Sequence, residues 1–271
     1  MVVTMAHIPK KSLGQHWLRD TTALTAMVEA GDIQSKDTVL EIGPGLGTLT
    51  ALLTAKAKRV IAVEFDGRLA DALPHTVVAD NLVVVAQDIL KFNFAALPAG
   101  YKVVANIPYY LTSNLIRVLS ETVNPPTVAV LLVQQEVAER VAAAPGAMSL
   151  LSVTAQYYWH VTLGQIVPAE LFSPPPKVNS RILRLDRYAK PRFPEVTPKQ
   201  FFRLVRGGFS QRRKTLSNAL SGSLRQPRSK IEECLRTAGL NTMVRAQNLS
   251  LNDWYGLYVA AVDRKIVGDA K

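Results

Sequence analysis

The sequence has little of what several classes of protein need. Its single cysteine, Cys234, excludes a disulfide framework and indicates a reducing compartment. Cys234 lies in an apolar-periodic stretch, which favours a buried side chain over a catalytic thiol. No uninterrupted apolar run approaches the ~20 residues of a membrane span. Residues 1–9 have neither a long apolar core nor an amphipathic leader pattern. We therefore expect a soluble cytoplasmic protein, and we predict no metal site.

Charge is distributed unevenly along the chain. The chain has 32 basic residues (Lys and Arg) and 21 acidic residues (Asp and Glu). Residues 1–186 contain 15 of the basic and 15 of the acidic residues and are therefore neutral. The remaining 17 basic and 6 acidic residues give residues 187–271 the whole net charge of +11. A basic module beside a neutral one predicts a polyanion-binding part joined to a catalytic part. The cluster of Arg212, Arg213 and Lys214 favours nucleic acid over a general solubility charge.

The first two-thirds of the chain alternate short apolar runs with helical patterns. Near-continuous apolar strands separated by helices predict an α/β fold with a parallel sheet covered on both faces. Two further strands flank a proline-rich turn and fit an antiparallel pair at the sheet edge. The predicted strands are Thr38–Ile42, Arg59–Glu64, Leu82–Ala86, Tyr101–Ala105, Val128–Gln134, Val161–Val167 and Ser180–Leu185, and helix-compatible stretches include Leu46–Lys56 and Thr112–Glu121.

The pattern changes after Asp186. Tyr188–Pro198 contains three prolines, which predicts a linker. The remainder has helical periodicity interrupted by glycines. We predict a catalytic domain over residues 1–186 and a small, basic all-α domain over residues 187–271. The predicted helices of the second domain are Pro198–Phe209, Gln211–Ser221, Ser229–Ala238 and Ser250–Val262.

A glycine-rich turn follows the first predicted strand and opens a helix. It has the sequence EIGPGLG and includes Gly43 and Gly45, which suit a backbone that passes close to a ligand. Its G-x-G-x-G spacing differs from the G-x-G-x-x-G of nicotinamide enzymes. Glu64 ends the second strand, where an acid can accept both ribose hydroxyls of an adenine nucleoside. Asp88 follows the third strand and can accept from a cofactor adenine or cap a helix, and taken alone the cap is favoured.

The fourth strand ends in the segment NIPY, which faces the ligand because ligands bind beyond the carboxyl ends of such strands. The Asn106 side-chain oxygen and the Ile107 carbonyl can accept from the two N–H groups of an adenine 6-amino group. Pro108 fixes the turn, and Tyr109 can stack on the base. Orientation and electrostatics then supply most of the catalysis. Phe172 is the candidate for a second aromatic against the base, although a hydrophobic plug under a loop fits it equally well.

These motifs resemble those of one family. Residues 10–18, KKSLGQHWL, resemble the cofactor-capping motif of the ribosomal RNA adenine dimethyltransferases. The glycine loop, the NIPY segment and residues 171–180, 209–216 and 245–250 match that family in order and spacing. The resemblance implies a Rossmann-like class I methyltransferase domain with a mostly parallel seven-stranded sheet, and S-adenosyl-L-methionine as cofactor. The implied cofactor contacts are His16, Leu18, Gly43, Glu64, Asp88 and Asn106, with Gln15 supporting the loop over the cofactor.

The same resemblance implies a substrate. It is a pair of adjacent adenosines in a hairpin loop near the 3′ end of small-subunit (16S) ribosomal RNA, each dimethylated within the assembling 30S particle by a monomeric enzyme. The large-subunit methylases of antibiotic resistance share the catalytic motifs, but the two C-terminal stretches favour the small-subunit branch. An RNA-binding assembly factor without activity is a second alternative, which intact Asn106 and Glu64 disfavour. A nicotinamide dehydrogenase is disfavoured by the glycine spacing.

Overall fold

The computed structural model describes residues 14–267. The interpretation of residues 1–9 and the first four positions of the N-terminal motif, residues 10–13, lie outside the described residues. The chain divides into two compact units. Among the described residues, the first comprises residues 14–138 and His160–Arg187, and the second comprises Glu139–Trp159 and residues 188–267.

Strands and helices alternate along the first unit. The elements up to residue 187 are β1 (Trp17–Leu18), α1 (Thr21–Ala30), β2 (Thr38–Ile42), α2 (Thr48–Thr54), β3 (Arg59–Glu64), α3 (Gly67–Thr76), β4 (Leu82–Ala86), β5 (Lys102–Asn106), α4 (Thr112–Glu121), β6 (Val128–Gln134), α5 (Gln135–Val141), α6 (Leu150–Tyr158), β7 (Trp159–Val167), β8 (Phe172–Ser173) and β9 (Ser180–Arg187). Of these, α6 lies in the second unit, α5 extends into it, and β7 begins in it at Trp159.

Seven strands form one sheet in the order β4–β3–β2–β5–β6–β9–β7. The first five are parallel to one another, and β9 runs antiparallel to β6. The predicted mostly parallel, seven-stranded sheet is therefore confirmed. A separate antiparallel ladder joins β1 to β8, with Leu18 opposite Phe172, and the sequence patterns did not predict it.

Strand order reverses between β2 and β5. From β2 the chain adds β3 and β4 on one side, and then β5 and β6 on the other. The loops that follow β2 and β5 therefore diverge and leave a crevice at the carboxyl ends of these two strands. Beneath this crevice, α1 and α2 pack on one face of the sheet, where Met27, Leu53, Val39 and Val104 are fully buried.

The second unit is helical over residues 188–267. Besides α6 it contains α7 (Pro198–Phe209), α8 (Leu216–Leu224), α9 (Arg228–Thr237) and α10 (Leu251–Asp263). Their apolar faces enclose one core, in which Phe201, Leu235 and Trp254 are almost fully buried. Ser250 and Asp253 form a capping box that begins α10. Within residues 14–267, no helix is both long and apolar enough to cross a membrane.

One predicted helix boundary of the second unit is wrong. The predicted helix Gln211–Ser221 begins only at Leu216, because Lys214 N–H closes a turn onto the Gln211 carbonyl and Leu216 N–H donates to the Val244 carbonyl at 2.7 Å. The predicted linker has no helix or strand before Pro198, although it is packed against the unit. Within it, Phe193 is buried and its ring stacks on Tyr255 with centroids 4.4 Å apart.

The predicted domain boundary at residue 186 also differs from the observed boundary between the two compact units. Residues 139–159, which the sequence assigned to the catalytic domain, belong to the second unit. The reason is the packing of α6, whose Tyr157 ring lies 5.1 Å from the Phe201 ring and 5.2 Å from the Phe202 ring of α7. The sequence of α6 shows that the helix is largely apolar, but it does not show against which core the helix is buried.

Candidate active site

An open cavity lies at the carboxyl ends of β2 and β5, with about 860 Å³ of empty space when the solvent at its mouth is included. Four segments of the first unit and three isolated residues line it. The segments are residues 14–18, the end of β2 with the turn and the start of α2 that follow it, the end of β3, and residues 106–110 at the end of β5; the isolated residues are Leu24, Leu69 and Phe172.

The glycine-rich turn brings backbone to the cavity wall. Gly43, Gly45 and Gly47 all have positive φ angles, of 68°, 57° and 82°. A Cβ atom added to Gly43 would meet only the Asn106 carbonyl within 4 Å, at 3.8 Å, so this side of the turn is open. Gly47 begins α2 in the left-handed conformation. The turn can therefore approach a ligand closely where a side chain would intrude.

Glu64 is an acceptor fixed at the end of β3. It is buried, and its two carboxylate oxygens accept from Gly45 N–H at 3.1 Å and from Asp66 N–H at 2.9 Å. Burial raises the pKa of Glu64, and the backbone donors oppose that rise. The two hydrogen bonds fix the carboxylate against the glycine turn, and lone pairs on each oxygen remain for a ligand.

Glu41 is a second buried carboxyl in the cavity wall. It is 1% exposed, and its Oε2 has no hydrogen-bond partner among residues 14–267. Burial raises the pKa of Glu41 to about 8, Thr50 lowers it slightly, and the charge of Glu64 raises it further. Glu41 is therefore a neutral acid at pH 7 that can donate a hydrogen bond. Sequence reasoning treated it only as part of the glycine motif.

The NIPY segment lines the opposite wall. Neither the Asn106 side chain nor the Ile107 carbonyl is hydrogen-bonded to another described residue, so both acceptors stay available to a ligand. The Tyr109 hydroxyl lies 2.8 Å from Ser180 Oγ. Burial raises the pKa of Tyr109, so its ring is a neutral phenol held in place by this contact.

The predicted N-terminal contacts also reach the cavity. The His16 ring donates from Nδ1 to the Pro174 carbonyl at 2.8 Å, and it stacks beside Tyr109 with centroids 6.0 Å apart. Leu18 is buried, and its carbonyl accepts from Thr48 Oγ1 at 3.2 Å. Gln15 lines the cavity beside them. These bonds hold the segment against the glycine turn.

Asp88 and Phe172 each have a local structural contact. The Asp88 carboxylate accepts from Leu90 N–H at 2.9 Å and caps a single helical turn, and it is not among the cavity-lining residues. This is the capping role that the residue taken alone favoured, and the cofactor contact implied by the resemblance stays a prediction. Phe172 lines the cavity but is only 4% exposed. Pairing of β8 with β1 places Phe172 opposite Leu18, and both are buried in one apolar cluster, which favours the hydrophobic plug of the two alternatives.

Three aromatic residues at the cavity were missed by sequence reasoning. Tyr110 is 68% exposed and Phe65 is 63% exposed, and both line the cavity. Trp17 lies over the glycine turn, its ring 3.4 Å from the position of a Cβ on Gly45. Phe65 and Tyr110 directly follow predicted site residues, which was the only sequence signal for them.

The residues predicted to bind RNA lie in the second unit. Arg212, Arg213 and Lys214 are exposed in the turn between α7 and α8. None of the three forms an ion pair with another described residue. Within residues 14–267, no three His, Cys, Asp or Glu side chains lie close enough together to hold a metal ion.

Fold and cavity together define a Rossmann-like methyltransferase. A glycine turn after β2, an acid at the end of β3 and an Asn-Ile-Pro-Tyr end to β5 meet at the reversal point of a doubly wound sheet. Solved structures agree. A dimethyladenosine transferase from Plasmodium falciparum superposes with a TM-score of 0.79 at 28% identity, over 92% of this chain and 98% of that one. The 23S rRNA methyltransferase ErmE superposes at 0.72 and 28% identity, over 90% and 98%.

Sequence comparison gives the family. The model of the ribosomal RNA adenine dimethylases matches residues 6–261. The ribosomal RNA small subunit methyltransferase A of Dehalococcoides mccartyi is 39% identical over 90% of this chain and 86% of its own length. That of Streptococcus sanguinis is 40% identical over 90% and 89%. The chain belongs to the ribosomal RNA adenine dimethylase family, and it is a methyltransferase.

Proposed function

We propose that the chain transfers methyl groups from S-adenosyl-L-methionine to the 6-amino groups of two adjacent adenosines in small-subunit ribosomal RNA, giving dimethyladenosine. The adenosines lie in a hairpin loop near the 3′ end of the RNA, within the assembling 30S particle in the cytoplasm. The observation that carries the proposal is the juxtaposition of Asn106 and Ile107 with Glu64 and the glycine turn in one cavity. Full-length relatives at 39–40% identity bear the small-subunit name.

The cavity fits the proposed cofactor. Gly43 leaves open space beside its backbone, and Glu64 presents a fixed carboxylate suited to two ribose hydroxyls. Gln15, His16 and Leu18 close the same cavity, together with Gly45 and Asn106. When bound there, S-adenosyl-L-methionine supplies the methyl group. Asp88 lies outside the residues that line the cavity, and we assign it to the adenine amine of the cofactor, because its bond to Leu90 N–H uses only Oδ1.

We assign the binding of the target amine to the Asn106 side-chain oxygen and the Ile107 carbonyl. An adenine 6-amino nitrogen is a poor nucleophile because its lone pair is delocalised into the ring. Two acceptors directed at its two N–H groups favour the pyramidal, nucleophilic form. The amine proton leaves after transfer, when the nitrogen is cationic, so no strong base is needed. Catalysis by the chain is then orientation and electrostatic stabilisation.

We assign the binding of the adenine ring to aromatic residues. Tyr109 is held by Ser180 with its ring at the cavity, and Pro108 fixes the turn that presents it. Phe172 is buried and forms part of the cavity wall behind the site. We assign it the role of limiting how far the base enters, because a buried ring suits this role better than stacking on the base. Tyr110 is exposed at the cavity, and we assign it a contact with the incoming nucleotide.

Two alternatives are tested by the same assay. The likeness to ErmE, at 28% identity, keeps large-subunit RNA as a candidate substrate, but it is lower than the identity to the small-subunit relatives. An assembly factor without activity would need neither free acceptors at Asn106 and Ile107 nor a bonded Glu64. Binding to the particle can still be an additional role of a monomeric enzyme.

The deciding experiment is methyl transfer to undermethylated small subunits, large subunits and naked RNA, with the modified nucleotides mapped by mass spectrometry. We expect dimethyladenosine at two adjacent positions of the small-subunit RNA. Asn106→Ala should lower turnover by about two to three orders of magnitude, as removal of one oriented hydrogen-bonding group does elsewhere. Asn252→Ala, at an exposed position of α10, is the matched control. Product on large subunits, or a fully active and folded Asn106→Ala variant, would contradict the proposal.

A further inference from the structure

The exposed face of α7 carries positive charge that no acidic residue on the same segment offsets. Residues 198–215, which comprise α7 and the turn after it, contain six basic and no acidic residues. Three of the six, Arg212 to Lys214, were singled out from the sequence. The other three, Lys199, Arg203 and Arg206, lie on α7 itself and are called here the α7 ridge.

Helix geometry places the α7 ridge on one face. The three residues are spaced by four and then three positions, so at ~100° per residue they fall within an arc of about 60°. They extend over about 10 Å along the helix axis. All three are exposed. The opposite face, with Phe201, Leu204 and Val205, is buried in the core of the second unit.

The charges of the α7 ridge are uncompensated within the described chain. None of the three forms an ion pair or side-chain hydrogen bond with another of residues 14–267. On α9 the arrangement is the reverse, since Glu232 lies 2.7 Å from Arg228 and 3.7 Å from Arg236. Other acids of this unit are also engaged. Glu233 pairs with Arg264, Asp253 caps α10, and Glu195 accepts from the Tyr255 hydroxyl.

The backbone beneath the α7 ridge is tightly held. A Cβ on Gly208 would lie 2.4 Å from Trp254 Cη2, and one on Gly207 would lie 2.8 Å from Ser223 Oγ. Glycine at both positions lets α7 pack against α8 and α10 at backbone distance. A ridge on a fixed helix is preorganised, so less conformational entropy is lost when it binds.

The chemistry of this face selects the ligand. Guanidinium and ammonium groups bind phosphates, whereas recognition of single-stranded bases needs exposed aromatic rings. The aromatic side chains of α7 point inward, with Phe201 and Phe202 buried. We propose that the α7 ridge, extended by Arg212 to Lys214, binds the RNA phosphate backbone without reading sequence. This inference rests on the proposed function, which makes RNA the substrate.

The test is the salt dependence of RNA binding by the full chain. A labelled RNA hairpin of unrelated sequence is titrated at several salt concentrations, with wild type and with the triple variant K199Q/R203Q/R206Q. Each phosphate contact contributes about 0.7–0.9 to the slope of log K against log salt, so the triple variant should lose roughly 2 to 3. The matched control, R228Q/K230Q/R236Q, removes the same charge from α9 and should lose less than about 1.

The outcomes are separable. Equal losses from the two triple variants would mean that only net charge matters, and no loss from the ridge variant would also overturn the inference. If the ridge variant loses binding to polyglutamate but not to RNA, the surface binds acidic protein and the inference is wrong. R203K/R206K should keep the wild-type slope, and unfolding midpoints verify that every variant folds. A wild type that shows the ridge-dependent slope but transfers no methyl refutes only the proposed function, whereas methyl transfer with an unchanged slope refutes only the ridge.

Discussion

Glu41 allows the electrostatics of the cavity wall to be tested through stability. Its carboxyl is almost fully buried, and burial raises the pKa from 4.5 in the unfolded chain to about 8. Between these two pH values the native protein retains a proton that the unfolded chain has lost. The free energy of unfolding therefore falls as the pH rises through this window, and it levels off above pH 8.

The magnitude follows from the two pKa values. Between pH 5.5 and pH 8, titration of this one group lowers the free energy of unfolding by about 3 kcal/mol, at ~1.4 kcal/mol per pKa unit. Glu41→Gln keeps the size of the side chain but removes its titration. The variant should therefore lack this fall, and it should gain stability relative to wild type as the pH increases.

The assay is urea unfolding without cofactor at several pH values across the window, read as the difference between variant and wild type. Glu64, whose pKa burial also raises, is present in both proteins and contributes equally to first order. Glu170→Gln makes the same substitution at an exposed position and controls for loss of one carboxyl. Parallel stability curves for wild type and Glu41→Gln would refute the reasoning, because they require an ordinary carboxyl at position 41.

Three further predictions concern the cavity. Glu64→Ala should weaken binding of S-adenosylhomocysteine in calorimetry by tenfold or more, since each hydrogen bond to a charged group contributes about 1.5–3 kcal/mol; an unchanged affinity would assign the ribose elsewhere. Gly47→Ala should lower the free energy of unfolding by about 1–3 kcal/mol, because the new Cβ lies 2.8 Å from Leu73 Cδ1 and the φ angle of 82° is strained for alanine. The control is Gly67→Ala, whose new Cβ meets no atom within 4 Å and which should leave the free energy of unfolding unchanged. Tyr110→Ala should lower kcat/KM for RNA about tenfold through lost stacking and leave S-adenosylhomocysteine affinity intact; loss of both would make Tyr110 a cofactor residue.

The sheet and the glycine turn were predictable because their signals are local. Each parallel strand is a short apolar run, and the observed strands agree with the predicted ones to within a residue at β2 to β6. The position of Asn106 beside the glycine turn then follows from topology alone, because both lie at carboxyl ends of neighbouring strands. Glu64 was found for the same reason, since it ends β3.

Other features depend on contacts between distant parts of the chain. Burial of Phe172 follows from the pairing of β8 with β1, and no periodicity in residues 171–180 contains that information. The placement of α6 in the second unit depends on the rings of Phe201 and Phe202 rather than on its own sequence. The unpaired oxygen of Glu41 is a property of the packed wall. It cannot be inferred from the glycine-rich motif that contains Glu41, because many folds share a motif of that kind.

The short ladder between β1 and β8 has a consequence for the order in which the site can form. It joins Trp17 to Ser173, and His16 reaches the Pro174 carbonyl, across 158 positions of the chain. The glycine turn and Glu64 belong to strands that are complete by residue 64, and Thr48 bonds the covering segment through the Leu18 carbonyl. The strand pairing and the His16 bond of that segment, however, need residues made much later. During synthesis, the full cover of the cavity therefore forms only after about two-thirds of the chain has been made, as a late, long-range step of folding.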